Sequence, residues 1–108
     1  MTIQAVDGLD VTLDDDHWKA HIVKRHPELA QNLDRVIETL KEPDAVYRSK
    51  RDPTTRVYAR SYSGIVIGET LVEKATLRVI VRDESRFVVT AYFAVAMWRG
   101  VGERIWPS

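Results

Sequence analysis

The chain has 108 residues, no cysteine, and 16 acidic against 16 basic residues, so its formal net charge is zero. This length fits one domain, residues 1–108, around one hydrophobic core, and the lack of cysteine excludes disulfides and Cys-based zinc sites. No signal peptide or long apolar run is recognisable, so we expect a soluble, cytoplasmic protein without a membrane partner.

Charge is unevenly distributed along the chain. The first 16 residues hold five aspartates and no Lys or Arg. Residues 47–62, by contrast, interleave tyrosines with bases, namely Tyr47, Arg48, Lys50, Arg51, Arg56, Tyr58, Arg60 and Tyr62. Such a patch suits phosphate binding and base stacking. A solvated strand edge protected by charge is the alternative.

The N-terminal part of the chain is typical of an extended arm followed by two helices. Alternation of Val11 and Leu13 predicts a short strand, and the aspartates at 14–16 are suitable helix caps. The first helix should run from about 15 to 25, because the residue before Pro27 is disfavoured in the α region. The second should open at Pro27 and end before Pro43; its apolar residues at helical spacing are Leu29, Leu33, Val36, Ile37 and Leu40.

After Pro43 the apolar spacing changes to a period of two, which predicts strands. The expected strands are 45–49, 55–62, 77–82 and 86–94. Residues 83–85 suit a hairpin, so the last two strands should be antiparallel. Residues 63–76 fit either a fifth strand around 65–67 or a loop, and Trp98 and Trp106 are expected to cap the core.

The order of these elements predicts an α+β domain: two N-terminal helices packed on one face of a four- to five-stranded antiparallel sheet. Alternation assigns to the helix-facing side Val57, Ala59, Leu77, Val79, Val81, Phe87, Val89, Ala91 and Phe93. It assigns to the other side Tyr58, Arg60, Tyr62, Arg78, Ile80, Arg82, Val88, Thr90 and Tyr92. This second face suits anion binding, and an ordinary solvated surface is the alternative.

The first helix carries a stripe of cationic and titratable residues within roughly one third of its circumference. The stripe consists of His17, His21, Lys24 and Arg25. Histidine exchanges protons near neutral pH, and neighbouring cations hold an anion or a developing negative charge. The stripe therefore suits phosphate-ester chemistry.

Two other interpretations of the histidines remain open. In the first interpretation, His17 and His21 are surface residues paired with Asp14 or Glu28. In the second, the two histidines share a zinc ion, since residues i and i+4 of a helix point the same way. The zinc interpretation is disfavoured, because no Glu adjoins the first histidine and the cations of the stripe oppose a divalent ion. We therefore expect neither a metal nor a cofactor.

Three short segments, taken in order, carry a resemblance to a known family: the run His21-Ile22-Val23-Lys24-Arg25-His26-Pro27-Glu28, then Pro43-Asp44, then Val88-Val89-Thr90-Ala91-Tyr92-Phe93. Together they resemble the phage-associated branch of the barnase/EndoU/colicin/RelE-like nuclease superfamily. The resemblance implies an α+β fold and metal-independent cleavage of RNA, often in a toxin context. RNA is then the expected partner, and an antitoxin or immunity protein is a candidate second partner whose existence the sequence leaves open.

The resemblance points to His21, Arg25, His26, Thr90 and Tyr92 as catalytic residues. It implies that His21 is general base or acid, that Arg25 binds the phosphate, that Thr90 donates a hydrogen bond and that Tyr92 positions or stacks the nucleotide. The expected geometry of the sheet adds Arg60 as a second phosphate-binding residue. The residues expected to bind substrate are His17, Lys24, Tyr58, Arg60 and Arg78. His26 has a plainer alternative role, as a cap at the helix C-terminus.

Two hypotheses follow, and they place His21 differently. A ribonuclease requires His21 in one cleft with Thr90 and Tyr92. A non-enzymatic module that binds RNA or protein through its Arg/Tyr face does not. A helix packed on the apolar sheet face meets this requirement only if its stripe reaches round a sheet edge.

Overall fold

A computed structural model describes residues 1–95 and 100–108, and the following account concerns those residues. The chain begins with an antiparallel hairpin of two short strands, β1 (Thr2–Gln4) and β2 (Asp10–Thr12). The side chain of Asp14 then accepts a hydrogen bond of 2.8 Å from the His17 amide, and so caps the first helix.

The first helix, α1, is continuous over residues 15–25 but changes its pitch in the middle. It consists of α-helical Asp15–His17, π-helical Trp18–Ile22 and α-helical Val23–Arg25. It ends at His26, whose backbone leaves the helical region ahead of Pro27. The predicted bounds are confirmed, whereas nothing in the sequence pattern indicated the π-helical turn.

The second predicted helix is divided into two parts. Pro27–Gln31 forms a 3₁₀ turn, and α2 covers Leu33–Lys41. Tyr62 of the sheet fastens α2, because its hydroxyl donates to the carboxylate of Glu38 at 2.7 Å. Burial, together with this carboxylate, raises the pKa of Tyr62 to about 12, so the phenol stays a donor at neutral pH.

In the described part of the chain, five strands form the main sheet, in the order β6-β5-β4-β3-β7, and each pairs antiparallel with its neighbours. They are β3 (Ala45–Ser49), β4 (Thr55–Ile67), β5 (Thr70–Arg82), β6 (Val88–Ala94) and β7 (Val101–Trp106). The predicted α+β class and the antiparallel β5–β6 pair are confirmed. The ambiguous residues 63–76 extend β4 and β5 into a long hairpin, and the tail supplies a strand that was not predicted.

Of the two tryptophans expected to cap the core, Trp106 lies in β7 and packs partly buried against the core, while Trp98 lies outside the described residues. The core joins buried residues of both helices to buried residues of the sheet. Its fully or nearly fully buried members include Val11, Ile22, Leu29, Val36, Leu40, Val46, Tyr58, Leu77, Val79, Val81, Val88 and Ala91. No helix in the described ranges is long and apolar enough to cross a membrane.

The faces predicted for β4 are reversed in the structure. Tyr58 pairs with Val79 and joins the core, whereas Val57 pairs with Ile80 on the opposite face. Residues two apart share a face, so Arg60 and Tyr62 also lie on the core side. The sequence pattern missed this because Val57 and Tyr58 both have strong strand propensity, and alternation alone fixes no absolute face.

Because of a β-bulge in β6, the first residues of this strand do not lie on the faces predicted for them. Val81 pairs with Val88 and Ile80 pairs with Thr90, which leaves Val89 as the extra residue. Val88 and Ala91 are therefore both fully buried, and Thr90 lies beside Ile80 on the opposite face. The expected strict alternation through Val89 fails at this residue.

A partly buried ionic network fastens the N-terminal hairpin to the sheet. The carboxylate of Asp7 accepts hydrogen bonds from Arg56 Nη1 at 2.6 Å and from the Tyr58 hydroxyl at 2.8 Å. Arg56 Nε donates to Asp83 at 2.8 Å, and Arg48 also pairs with Asp83. Burial, together with the Asp7 carboxylate, raises the pKa of Tyr58 far above its ordinary value, so Tyr58 remains a neutral donor.

We expect Asp7→Ala to lower the free energy of unfolding by about 3 kcal/mol, because it leaves the partly buried Arg56 and the Tyr58 hydroxyl without this acceptor. Urea denaturation followed by circular dichroism measures the change. The matched control is Asp10→Ala in the same hairpin, where the side chain is exposed and the expected change is within about 0.5 kcal/mol. Equal effects of the two variants would contradict a stabilising role for the network.

Candidate functional site

Helix α1 and the edge strand β6 form the two walls of an open cleft of about 550 Å³. We call it the histidine cleft. Its described lining residues are His17, His21, Arg25, His26, Arg51, Val89, Thr90 and Tyr92. The helix residues come from the predicted cationic stripe, and Thr90 and Tyr92 come from β6. The cleft thus lies where α1 reaches the edge of the sheet.

His17 holds the two walls together. Its Nε2 lies 2.8 Å from the carbonyl oxygen of Val89, the bulged residue of β6. A carbonyl only accepts hydrogen bonds, so Nε2 carries the hydrogen and Nδ1 is left as the acceptor in the neutral ring. The His17 ring also lies 5.0 Å from the Phe87 ring, centroid to centroid, which packs it against the start of β6.

The other two histidines lie further along the same wall. The His21 ring is 4.9 Å from the His17 ring, and the His26 ring is 5.9 Å from the ring of Tyr92. His21 is exposed, whereas His26 is half-buried. His21 lies within the π-helical turn Trp18–Ile22 of α1, and π-helical turns are frequent at functional sites. His26 has the backbone role of ending the helix and also faces the cleft.

The histidine cleft is electropositive. Among its described lining residues, Arg25 and Arg51 carry permanent charge and no carboxylate is present. Glu28 approaches from outside the cleft, with its Oε1 at 3.9 Å from His26 Nδ1. Cations that line a concave surface attract an anion. The arrangement therefore combines two permanent cations, which can bind an anion, with three imidazole side chains.

Arg51 is the lining residue that the sequence analysis did not assign to the site. It belongs to the turn between β3 and β4, and it reaches the cleft from the sheet side. The signal for it was the basic cluster of residues 47–62, but that cluster gave no reason to select Arg51 from its neighbours. Val89, which contributes a backbone carbonyl, carried no chemical signal in the sequence.

Four of the residues predicted to bind substrate do not line the histidine cleft. Lys24 is exposed on α1 but lies outside it. Tyr58 is fully buried and bonded to Asp7, so it is unavailable to a ligand. Arg60 pairs with Glu38 at 3.4 Å and donates to the Glu42 carbonyl, beside α2. Arg78 is buried under the opposite sheet face and lines a neighbouring cavity.

These placements also correct the expected Arg/Tyr face. Three of its members, Tyr58, Arg60 and Tyr62, lie on the core side of β4, where they stabilise the fold. Thr90, Tyr92, Ile80 and Arg78 remain together on the other face. The chain therefore does not present the whole predicted Arg/Tyr face to a binding partner.

Within the described ranges, no group of three or more His, Cys, Asp or Glu side chains is arranged to hold a metal ion. Two histidines with cationic neighbours are a poor site for a divalent cation. No protein-family model matches the chain, and no curated protein or solved structure matches it either.

We expect His17→Ala to lower the free energy of unfolding by about 1 kcal/mol, since it removes the hydrogen bond between α1 and β6. Urea denaturation measures this, and Lys19→Ala, an exposed change on the same helix, is the control. The amide NMR signals of residues 88–92 should shift in His17→Ala and stay in place in Lys19→Ala. Unchanged signals in both variants would show that His17 does not hold the bulge.

Proposed function

We propose that the chain is a metal-independent endoribonuclease of the barnase/EndoU/colicin/RelE-like superfamily, toxin-like in its activity, with the histidine cleft as its active site. The observation that carries the proposal is the convergence of His21, Arg25 and His26 with Thr90 and Tyr92 in one cleft. The proposal includes the placement of both helices on the core face of the sheet. The histidine and arginine stripe of α1 then reaches round the edge formed by β6.

The proposed reaction is a transesterification within the RNA strand, in which phosphorus exchanges its bond to a 5′-oxygen for a bond to the 2′-oxygen. A general base takes the proton of the ribose 2′-hydroxyl, and the 2′-oxygen attacks the adjacent phosphorus. The bond from phosphorus to the 5′-oxygen breaks, and a general acid gives that oxygen a proton. The products are a 2′,3′-cyclic phosphate and a 5′-hydroxyl, with no water consumed in this step.

The residues of the cleft divide naturally among these tasks. His21, which lines the cleft and is exposed, acts as general base or acid, and His26 supplies the complementary proton transfer. Arg25 of α1 and Arg51 of the β3–β4 turn stabilise the charge that develops on the phosphate oxygens. Thr90 donates a hydrogen bond to one of those oxygens, and Tyr92 orients the nucleotide.

His17 has a supporting role in this proposal. Its Nε2 is committed to the Val89 carbonyl at 2.8 Å, so its contribution is to position α1 and the neighbouring His21 ring. The toxin-like reading implies a protein partner, an antitoxin or immunity protein, that covers the cleft. RNA is the substrate, and no cofactor takes part.

Purified protein should cleave a mixed RNA pool in excess EDTA and leave 2′,3′-cyclic phosphate ends, which mass spectrometry of the fragments detects. His21→Ala should lower the rate at least about 100-fold, because it removes a proton-transfer group. Lys19→Ala, on the exposed side of the same helix, should retain the parent rate. A folded parent protein that cleaves no RNA would falsify the proposal.

We expect Arg51→Ala to lower kcat/KM for RNA by about 10- to 100-fold, because the cleft loses one of its transition-state cations. Steady-state kinetics with a fluorogenic oligoribonucleotide measures the effect. Arg104→Ala in β7 removes an exposed arginine outside the cleft and should change kcat/KM less than twofold. If the two arginine variants behave alike, Arg51 does not act at the reacting phosphate.

A further inference from the structure

A second cavity, of about 740 Å³, adjoins the histidine cleft on the face of the sheet opposite the core. We call it the trough. Arg51, Val89, Thr90 and Tyr92 line both cavities. The two cavities therefore adjoin at these residues, and a ligand held at Arg51 is next to both of them. The volume lies within the roughly 300–1,000 Å³ that small-molecule sites occupy.

Strand pairing fixes the residues that form the floor of the trough. Thr90 pairs with Ile80, and Ile80 pairs with Val57, so these three side chains form one row across β6, β5 and β4. This row leads from the histidine cleft across the sheet. Beyond Thr90 it is apolar, since it continues with the isoleucine and then the valine.

The wall of the trough is aromatic. Tyr92 is half-buried and borders both cavities, and its ring already lies 5.9 Å from the His26 ring, centroid to centroid. Asp52 lines the other side, where its carboxylate accepts a hydrogen bond from Thr54 Oγ1 at 2.6 Å. Arg78 also lines the trough, and a guanidinium plane stacks on a base. The apolar floor and the aromatic wall suit a flat, uncharged ring.

We propose that the trough is a nucleobase subsite: it receives one unpaired base of single-stranded RNA whose neighbouring phosphate is bound between Arg51 and Arg25. This inference rests on the proposed function and deepens it, because it names the form of the substrate. A base in a duplex is stacked and paired, so it reaches such a trough only after it is extruded, at a cost in free energy. The protein therefore selects single strands.

Equilibrium binding tests the subsite without cleavage. The first probe is a fluorescein-labelled six-nucleotide 2′-fluoro RNA, which lacks the attacking hydroxyl, and the second is an abasic sugar-phosphate chain of the same length. Fluorescence anisotropy with the full chain should show at least about tenfold weaker binding of the abasic chain, because a stacked base contributes about that much to affinity. Annealing the complement to the first probe should weaken its binding to a similar extent.

A pair of variants locates the base. Ile80→Ser makes the floor of the trough polar and should weaken binding of the 2′-fluoro RNA about tenfold while leaving the abasic chain unaffected. Val66→Ser is the matched control, since Val66 is 57% exposed on the distal part of β4 and lies outside both cavities. Thermal melting checks that both variants are folded, and the comparison of the two probes needs no variant.

The outcomes separate the subsite from the ribonuclease activity. Equal affinity for the two probes, or no measurable binding of either, overturns the subsite even if RNA is cleaved. Base-dependent binding that Ile80→Ser abolishes supports the subsite even if the EDTA assay finds no cleavage, in which case the enzyme proposal alone fails. An equal loss in Ile80→Ser and Val66→Ser also overturns the placement of the base.

Discussion

The hydrogen bond from His17 to the Val89 carbonyl is the contact on which the candidate site depends. Helix α1 and strand β6 are more than 60 residues apart in sequence, and each supplies one wall of the histidine cleft. The bulge makes the bond possible, because an extra residue in an edge strand disrupts the regular pairing and leaves a carbonyl that needs a donor. One imidazole thus satisfies a backbone acceptor and sets the distance between two groups of functional side chains.

The sequence predicted well those features that depend on neighbours along the chain. The bounds of α1 followed from the aspartate cap and from Pro27, and the β5–β6 hairpin followed from its short polar turn. The histidine and arginine stripe was also visible, because helical spacing alone places those residues on one side. Six of the ten predicted site residues line the histidine cleft: His17, His21, Arg25, His26, Thr90 and Tyr92.

The features that were missed depend on contacts between distant residues. Tyr58 is buried because Asp7, 51 residues away, accepts its hydroxyl hydrogen bond, and no local pattern predicts that pairing. Burial of Tyr58 reverses the face of β4 and takes Arg60 to the side of α2. Likewise, Arg51 differs from its basic neighbours only in where the β3–β4 turn carries it, which is a property of the sheet as a whole.

The order of the strands has a consequence for how the chain folds. Strands β3, β4, β5 and β6 follow one another along the chain and pair in that same order, so they close through short loops at small entropic cost. The two ends attach differently: β7 pairs with β3 from the far end of the chain, and Asp7 reaches Arg56 across 49 residues. Low contact order favours early formation of the central meander. On this view the histidine cleft assembles late, when α1 docks on an edge strand that already exists.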